Sequence, residues 1–318
     1  MVPVPDTMLS AESFASAKSF LLERARPLEA ARFAYHFGDG ERADVIEALL
    51  AFRNPDGGFG RGLEPDFRTA DSSALATTVG LALLRSIDAA EGPEARAAVE
   101  YLVRTHDPSE AHWRLIPREP AEAPHAPWWS QAGRAGEFDR FSLNPTAEVL
   151  GYLYDHRDTV PGDLLAAVED RVVDELSGAE LEMHELHCVI RLLESERLPE
   201  EVGGAALAAA RRAAQRGVAR DPAEWSGYAL RPLQVAPRPG SPLAAEWADE
   251  IQADLDYEIA TQQEDGSWSP AWSWGELHPE AWEEAKREWS GVLTIGKLLT
   301  LGRYGRLDAG RIGTISSP

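Results

Sequence analysis

A single cysteine, Cys188, in 318 residues leaves no partner for an internal disulfide and too few thiolates for a Cys-rich zinc site. That scarcity fits a reducing compartment, and a cytoplasmic location is expected. Positive charge is short as well: 31 Lys and Arg stand against 53 Asp and Glu, a formal net charge of −22. Without a basic field to release counterions, a phosphate-tracking nucleic-acid binder is argued against, and docking on anionic membranes is disfavoured. No apolar run reaches the roughly 18 residues of a membrane span. The opening MVPVPDTMLSAESFASAKSF lacks a basic segment followed by a long apolar one, so no signal peptide is expected. Gly-x-Gly-x-x-Gly, Walker and Gly-x-Ser-x-Gly patterns are missing, which leaves nucleotide, hydride and serine-nucleophile chemistry without support.

The hydrophobic share is 44% and the charged share 26%, enough apolar material for a large core. Alternating Val/Ile/Thr runs are almost missing, whereas Ala/Leu/Glu/Arg windows with a 3.6-residue period recur. Helices are expected over 10–35, 41–53, 71–88, 93–105, 144–157, 162–176, 180–195, 201–217, 222–231, 243–263, 279–288 and 289–303. Breakers such as Asn54-Pro55-Asp56-Gly57-Gly58 and Pro237-Arg238-Pro239-Gly240 separate them. Residues 71–84 carry no charge after Asp71, and 289–301 carry only Lys297, so these helices should be buried all round. Residues 162–175 and 201–217 are amphipathic. Alternation of buried and half-exposed helices predicts an all-α, double-layered α/α barrel forming one domain over 1–318. A Pro/Trp-rich loop near 106–142, including the stretch from Pro117 to Pro127, is too long for a plain connection and is read as a lid.

A short motif occurs twice. Residues 49–60 read LLAFRNPDGGFG and 258–268 read EIATQQEDGSW, so Asp56-Gly57-Gly58-Phe59 matches Asp265-Gly266-Ser267-Trp268. Each follows an amphipathic helix and precedes an apolar one; the Gly permits a left-handed turn at the helix end. Gln263 to Trp268 resembles the Gln-x-x-Gly-x-Trp motif of squalene–hopene cyclases, and Asn54 to Phe59 resembles the Asp-Gly-Gly-Phe form of protein prenyltransferase β-subunits. The chain therefore resembles the terpenoid cyclase/prenyltransferase superfamily, which implies an (α/α)6 toroid, here a single one.

The same resemblance implies catalytic candidates. Thr69-Ala70-Asp71-Ser72-Ser73-Ala74 is similar to the Asp-x-Asp-Asp-Thr-Ala motif of class II cyclases, with Asp71 at the central acid and Thr69 and Ser72 replacing the flanking ones. Asp71 is then the expected proton donor, with Glu64 and Asp66 as polar partners. On the residues alone, Asp71 also reads as an N-cap of the apolar helix. The Asp-Asp-x-x-Asp magnesium motif is missing, so Mg²⁺ is expected only if the substrate is a diphosphate, and no other cofactor is expected. His184, His187 and Cys188 share one helix face at i, i+3 and i+4; a packed core face is the preferred reading, and no metal ligand is assigned.

Ten Trp are unusually many for this length. Trp128, Trp129, Phe141, Trp225, Tyr228, Trp272, Trp274 and Trp289 are the expected substrate wall, since ring faces stabilise carbocations by about 0.5–2 kcal/mol each. The expected function is protonation-initiated cyclisation of an isoprenoid substrate in an aromatic cavity. Ring faces also stack on sugars, so a carbohydrate-active toroid is an alternative; a non-catalytic toroid binding an apolar ligand or a partner protein is the third. Oligomeric state is not readable.

Overall fold

The computed structural model describes residues 7–118, 123–178 and 180–308. Residues 119–122 of the expected lid lie outside them. Twelve α-helices occur among the described residues, in the order α1 (Ala11–Glu23), α2 (Pro27–Phe37), α3 (Arg42–Leu50), α4 (Ala74–Ser86), α5 (Pro93–Thr105), α6 (Leu143–Asp155), α7 (Gly162–Gly178), α8 (Met183–Leu192), α9 (Glu200–Gly217), α10 (Pro232–Val235), α11 (Ala248–Ala260) and α12 (Pro279–Arg303). Extended pairing among these residues is confined to isolated bridges. The fold is all-α, as its hydrophobic period predicts.

Several boundaries differ from the expected ones. The window 10–35 is two helices, because Pro27 has no N–H to continue a ladder and instead opens α2 at its first turn. Residues 222–231 form only a 3₁₀ turn at Pro222–Glu224, with the four-residue α10 following. The windows 279–288 and 289–303 are one helix of 25 residues, since no breaker stands between Glu288 and Trp289. Ser73, not Asp71, caps α4: its hydroxyl accepts from the Ala76 N–H at 3.0 Å.

The chain divides into two compact units, residues 1–51 with 219–318, and residues 52–218. In the 52–218 unit α6 packs against α4, α7 and α8, and α9 packs against α7 and α8. Every residue of α6 but Asn144 is buried. By contrast α7 buries one stripe, Val168, Val172 and Leu176, and leaves its charged face outside. That is the double layering the sequence predicts, seen within this unit. In the other unit α2 packs on α1, α3 and α12, and Phe14, Phe33 and Phe37 form an aromatic knot with centroids 5.4–5.8 Å apart.

The repeated motif has one geometry in both copies. Gly57 and Gly266 each sit at φ +87°, a conformation that glycine adopts freely. The Asn54 N–H donates to Gly58 O, and the Gln263 N–H donates to Ser267 O, both at 2.9 Å. The following ring is pinned to the next helix: the Phe59 N–H donates to Thr77 Oγ1 and the Trp268 N–H to Thr294 Oγ1, both at 3.1 Å. In that register Leu49 corresponds to Glu258, Val45 to Asp254 and Gly80 to Lys297.

Candidate functional site

The 1–51/219–318 unit contains a cavity of about 460 Å³. The second motif copy builds one wall. Trp268, fixed by its backbone bond to α12, donates its indole N–H to Glu258 O at 2.8 Å. The turn after it carries Trp272, which meets Tyr228 edge-on at 5.7 Å. Trp225 and Tyr257 meet edge to face at 5.4 Å, with the Trp225 indole N–H donating to Ala219 O at 2.9 Å. These five rings all line the cavity.

Charged residues lie among them. Glu258 from α11 accepts from Lys297 of α12 through Oε2 and from Arg231, the residue capping α10, through Oε1. Arg231 also approaches Asp254 Oδ1 at 3.5 Å and lays its guanidinium over Tyr257, 5.0 Å from the centroid. Asp254 Oδ2 in turn accepts the Leu233 N–H at 2.9 Å. Glu258, Arg231 and Lys297 line the cavity; Asp254, fully buried, stands behind them. Burial raises the Asp254 carboxyl above the ordinary carboxylate range despite Arg231. Burial, reinforced by Arg231 and opposed by Asp254, lowers the Lys297 ammonium to about 7.

The sequence-predicted residues divide between the units. Trp225, Tyr228 and Trp272 line this cavity. Trp289 touches Trp272 edge-on at 5.1 Å from outside the lining, and its buried Nε1 makes no hydrogen bond among the described residues. Trp274 is buried against Trp282 at 5.7 Å, a packing role. Trp128, Trp129 and Phe141 belong to the 52–218 unit: Trp128 is exposed, Trp129 packs on Phe67 and Phe138 at 6.4 Å each, and Phe141 carries the Arg171 guanidinium at 4.2 Å.

The three expected catalytic acids also belong to that second unit. Glu64 and Asp66 are buried, whereas Asp71 is exposed in the turn before α4, its carboxylate accepting from the Thr69 hydroxyl at 3.5 Å. A proton donor to an alkene needs a dry surround that holds it neutral, and an exposed turn does not provide one. Nor do the histidines of α8 gather round the thiol. His184 is exposed, and Cys188 Sγ faces Asn144 Oδ1 at 3.5 Å and Glu148 Oε2 at 3.9 Å. Glu148 is held by the Tyr152 hydroxyl and by Arg191, each at 2.8 Å.

Sequence reasoning missed Glu258, Asp254 and Arg231, and named Lys297 only as the one charge on an apolar helix. The available signal was that lone lysine together with two acids four residues apart on the preceding helix.

No protein-family model matches the chain, and no curated protein matches it significantly. Among solved structures, a protein from Actinoplanes is similar over 91% of this chain and 99% of its own, at 15% identity and a TM-score of 0.52. A type II terpene cyclase, an MstE variant from Scytonema in complex with its substrate geranylgeranyl dihydroxybenzoate, is similar over 92% of this chain and 97% of its own, at 13% identity and a TM-score of 0.48. The chain is all-α and shares its fold with a solved protein of low identity, and no activity follows from that.

Proposed function

We propose that this is a terpenoid cyclase-like protein of the double-layered α/α class, and that it binds an isoprenoid ligand in the aromatic cavity of the 1–51/219–318 unit. The cavity wall carries the reading: Trp225, Tyr228, Tyr257, Trp268 and Trp272 line a space of about 460 Å³. A branched polyene buries its carbons against such faces at about 0.8 kcal/mol per CH₂. The charged residues of the wall, Glu258 paired with Lys297 and Arg231, orient a polar end. Asp71 lies exposed and belongs to the other unit, so proton-initiated cyclisation gains no support from its position. Binding is the function that this geometry favours.

Calorimetric titration of the full chain with farnesol, and separately with a linear oligosaccharide, tests it. Saturable farnesol binding that weakens at least tenfold in Trp272→Ala is the expected result. Oligosaccharide binding with no response to farnesol would overturn the isoprenoid reading.

A further inference from the structure

The cationic residues of this chain are nearly all arginine: of 31 Lys and Arg, three are lysine, namely Lys18, Lys286 and Lys297. Lys18 and Lys286 are exposed on α1 and on α12. Lys297 alone has a mostly buried side chain, 19% exposed, and it lies on the cavity wall. Arginine would have made the stronger, two-pronged pair with Glu258 and would have kept its charge at any working pH. Only an amine can shed its proton and attack a carbon.

The repeated turn closes without charges at the positions matched to Lys297, Glu258 and Asp254. In the first copy the matched positions are Leu49, Val45 and Gly80, all buried and uncharged, and the motif closes with the same hydrogen bonds. Burying Lys297, Glu258 and Asp254 at the second copy costs desolvation that the matched positions of the first avoid. These three groups and Arg231 converge beside the aromatic cavity.

We infer that Lys297 is a carbonyl-capturing amine, whose Nζ forms an imine with the aldehyde group of an apolar ligand held in the cavity. This rests on the cavity being the ligand site proposed above. The neutral amine's lone pair adds to the carbonyl carbon and a proton passes from nitrogen to oxygen, giving a carbinolamine. Loss of that oxygen as water, carrying both former amine hydrogens, leaves the C=N bond; nothing is oxidised or reduced. Protonation from solvent then gives an iminium, and Glu258 stands in place as its counter-ion. The charged groups facing Lys297 are Glu258 and Asp254 of α11 and Arg231 at the start of α10; with an ammonium lowered to about 7, capture accelerates as pH rises through neutrality.

The test incubates the full chain with farnesal and cyanoborohydride, which reduces an iminium to a stable amine, and maps the added mass by peptide. The expected result is labelling of Lys297 at least ten times faster than Lys18 and Lys286, suppressed there alone by excess farnesol. In Lys297→Arg the adduct on that peptide disappears while Lys18 and Lys286 label as before. If farnesol binds but Lys297 labels no faster than the two exposed lysines, the amine inference is overturned and the cavity reading stands. Rapid labelling of Lys297 with no farnesol binding would support the amine and overturn the isoprenoid reading. Failure of both removes both.

Discussion

Glu258 is the residue that joins the two cations of the cavity. Removing its charge by Glu258→Gln leaves Lys297 without its buried partner and Arg231 with Asp254 alone, and uncompensated buried charge costs about 3–5 kcal/mol. Removing both charges together, in Glu258→Leu with Lys297→Met, copies the apolar character of the first motif copy and leaves Arg231 paired to Asp254. The double variant should therefore lose less stability than Glu258→Gln; urea unfolding of the two decides it, and equal losses would mean that the charges do not act as a unit. At this scale the sequence was half legible. Lys297 stands out on an apolar run, but Glu258 and Asp254 sit in the acid-rich ADEIQADLDYEIA, where two buried carboxylates look like two more solvated ones. Asp71 reads differently from its letters. It matches a motif in letters, while the backbone turns it to solvent and Ser73 takes the capping task.

Among elements, the paired motif was the most readable feature, because its glycines answer a backbone demand. At φ +87° a Cβ on Gly266 would lie 2.2 Å from the Ser16 carbonyl carbon, so Gly266→Ala should cost more than about 2 kcal/mol. Gly204 makes the contrast: it lies in the interior of α9 with open space around its absent Cβ, and Gly204→Ala should stabilise by about 0.5–1 kcal/mol. Shifts in unfolding midpoint of opposite sign check the pair, and a loss at both positions would refute the distinction. Helix existence followed from periodicity. Helix ends did not, because Pro27 breaks a window whose apolar pattern runs through it, and within 222–231 the Trp225 indole is anchored to Ala219 O. Tertiary packing overrides propensity there.

For the whole molecule, pH dependence follows from histidines that burial keeps uncharged, His187 and His36 most strongly, with His106, His112 and His156 shifted the same way. His187 is pushed down to about 3 by burial and then by Arg191, and His36 to about 4 by burial and then by Arg32. Between pH 6.5 and those values the unfolded chain binds protons that the folded chain refuses. Stability is full above about 6.5 and falls as pH drops through that window. Urea midpoints from pH 7 to 4 should decline, and His187→Gln should flatten the decline; a midpoint unchanged across that range would contradict the assignment. The all-α class was legible from composition and period alone. The candidate cavity was legible only in Trp225, Tyr228 and Trp272, because it is assembled from segments some 70 residues apart, 225–234 and 292–301, and only the fold brings their rings and charges together.

Photo-crosslinking maps that site most directly. A farnesyl diazirine activated on the full chain should mark peptides containing Trp225 to Gln234, Trp268 to Trp272 and Val292 to Leu301, with suppression by excess farnesol. Farnesol-suppressible crosslinks confined to the segment from Glu64 to Asp71, or to that around Trp128, Trp129 and Phe141, would contradict it.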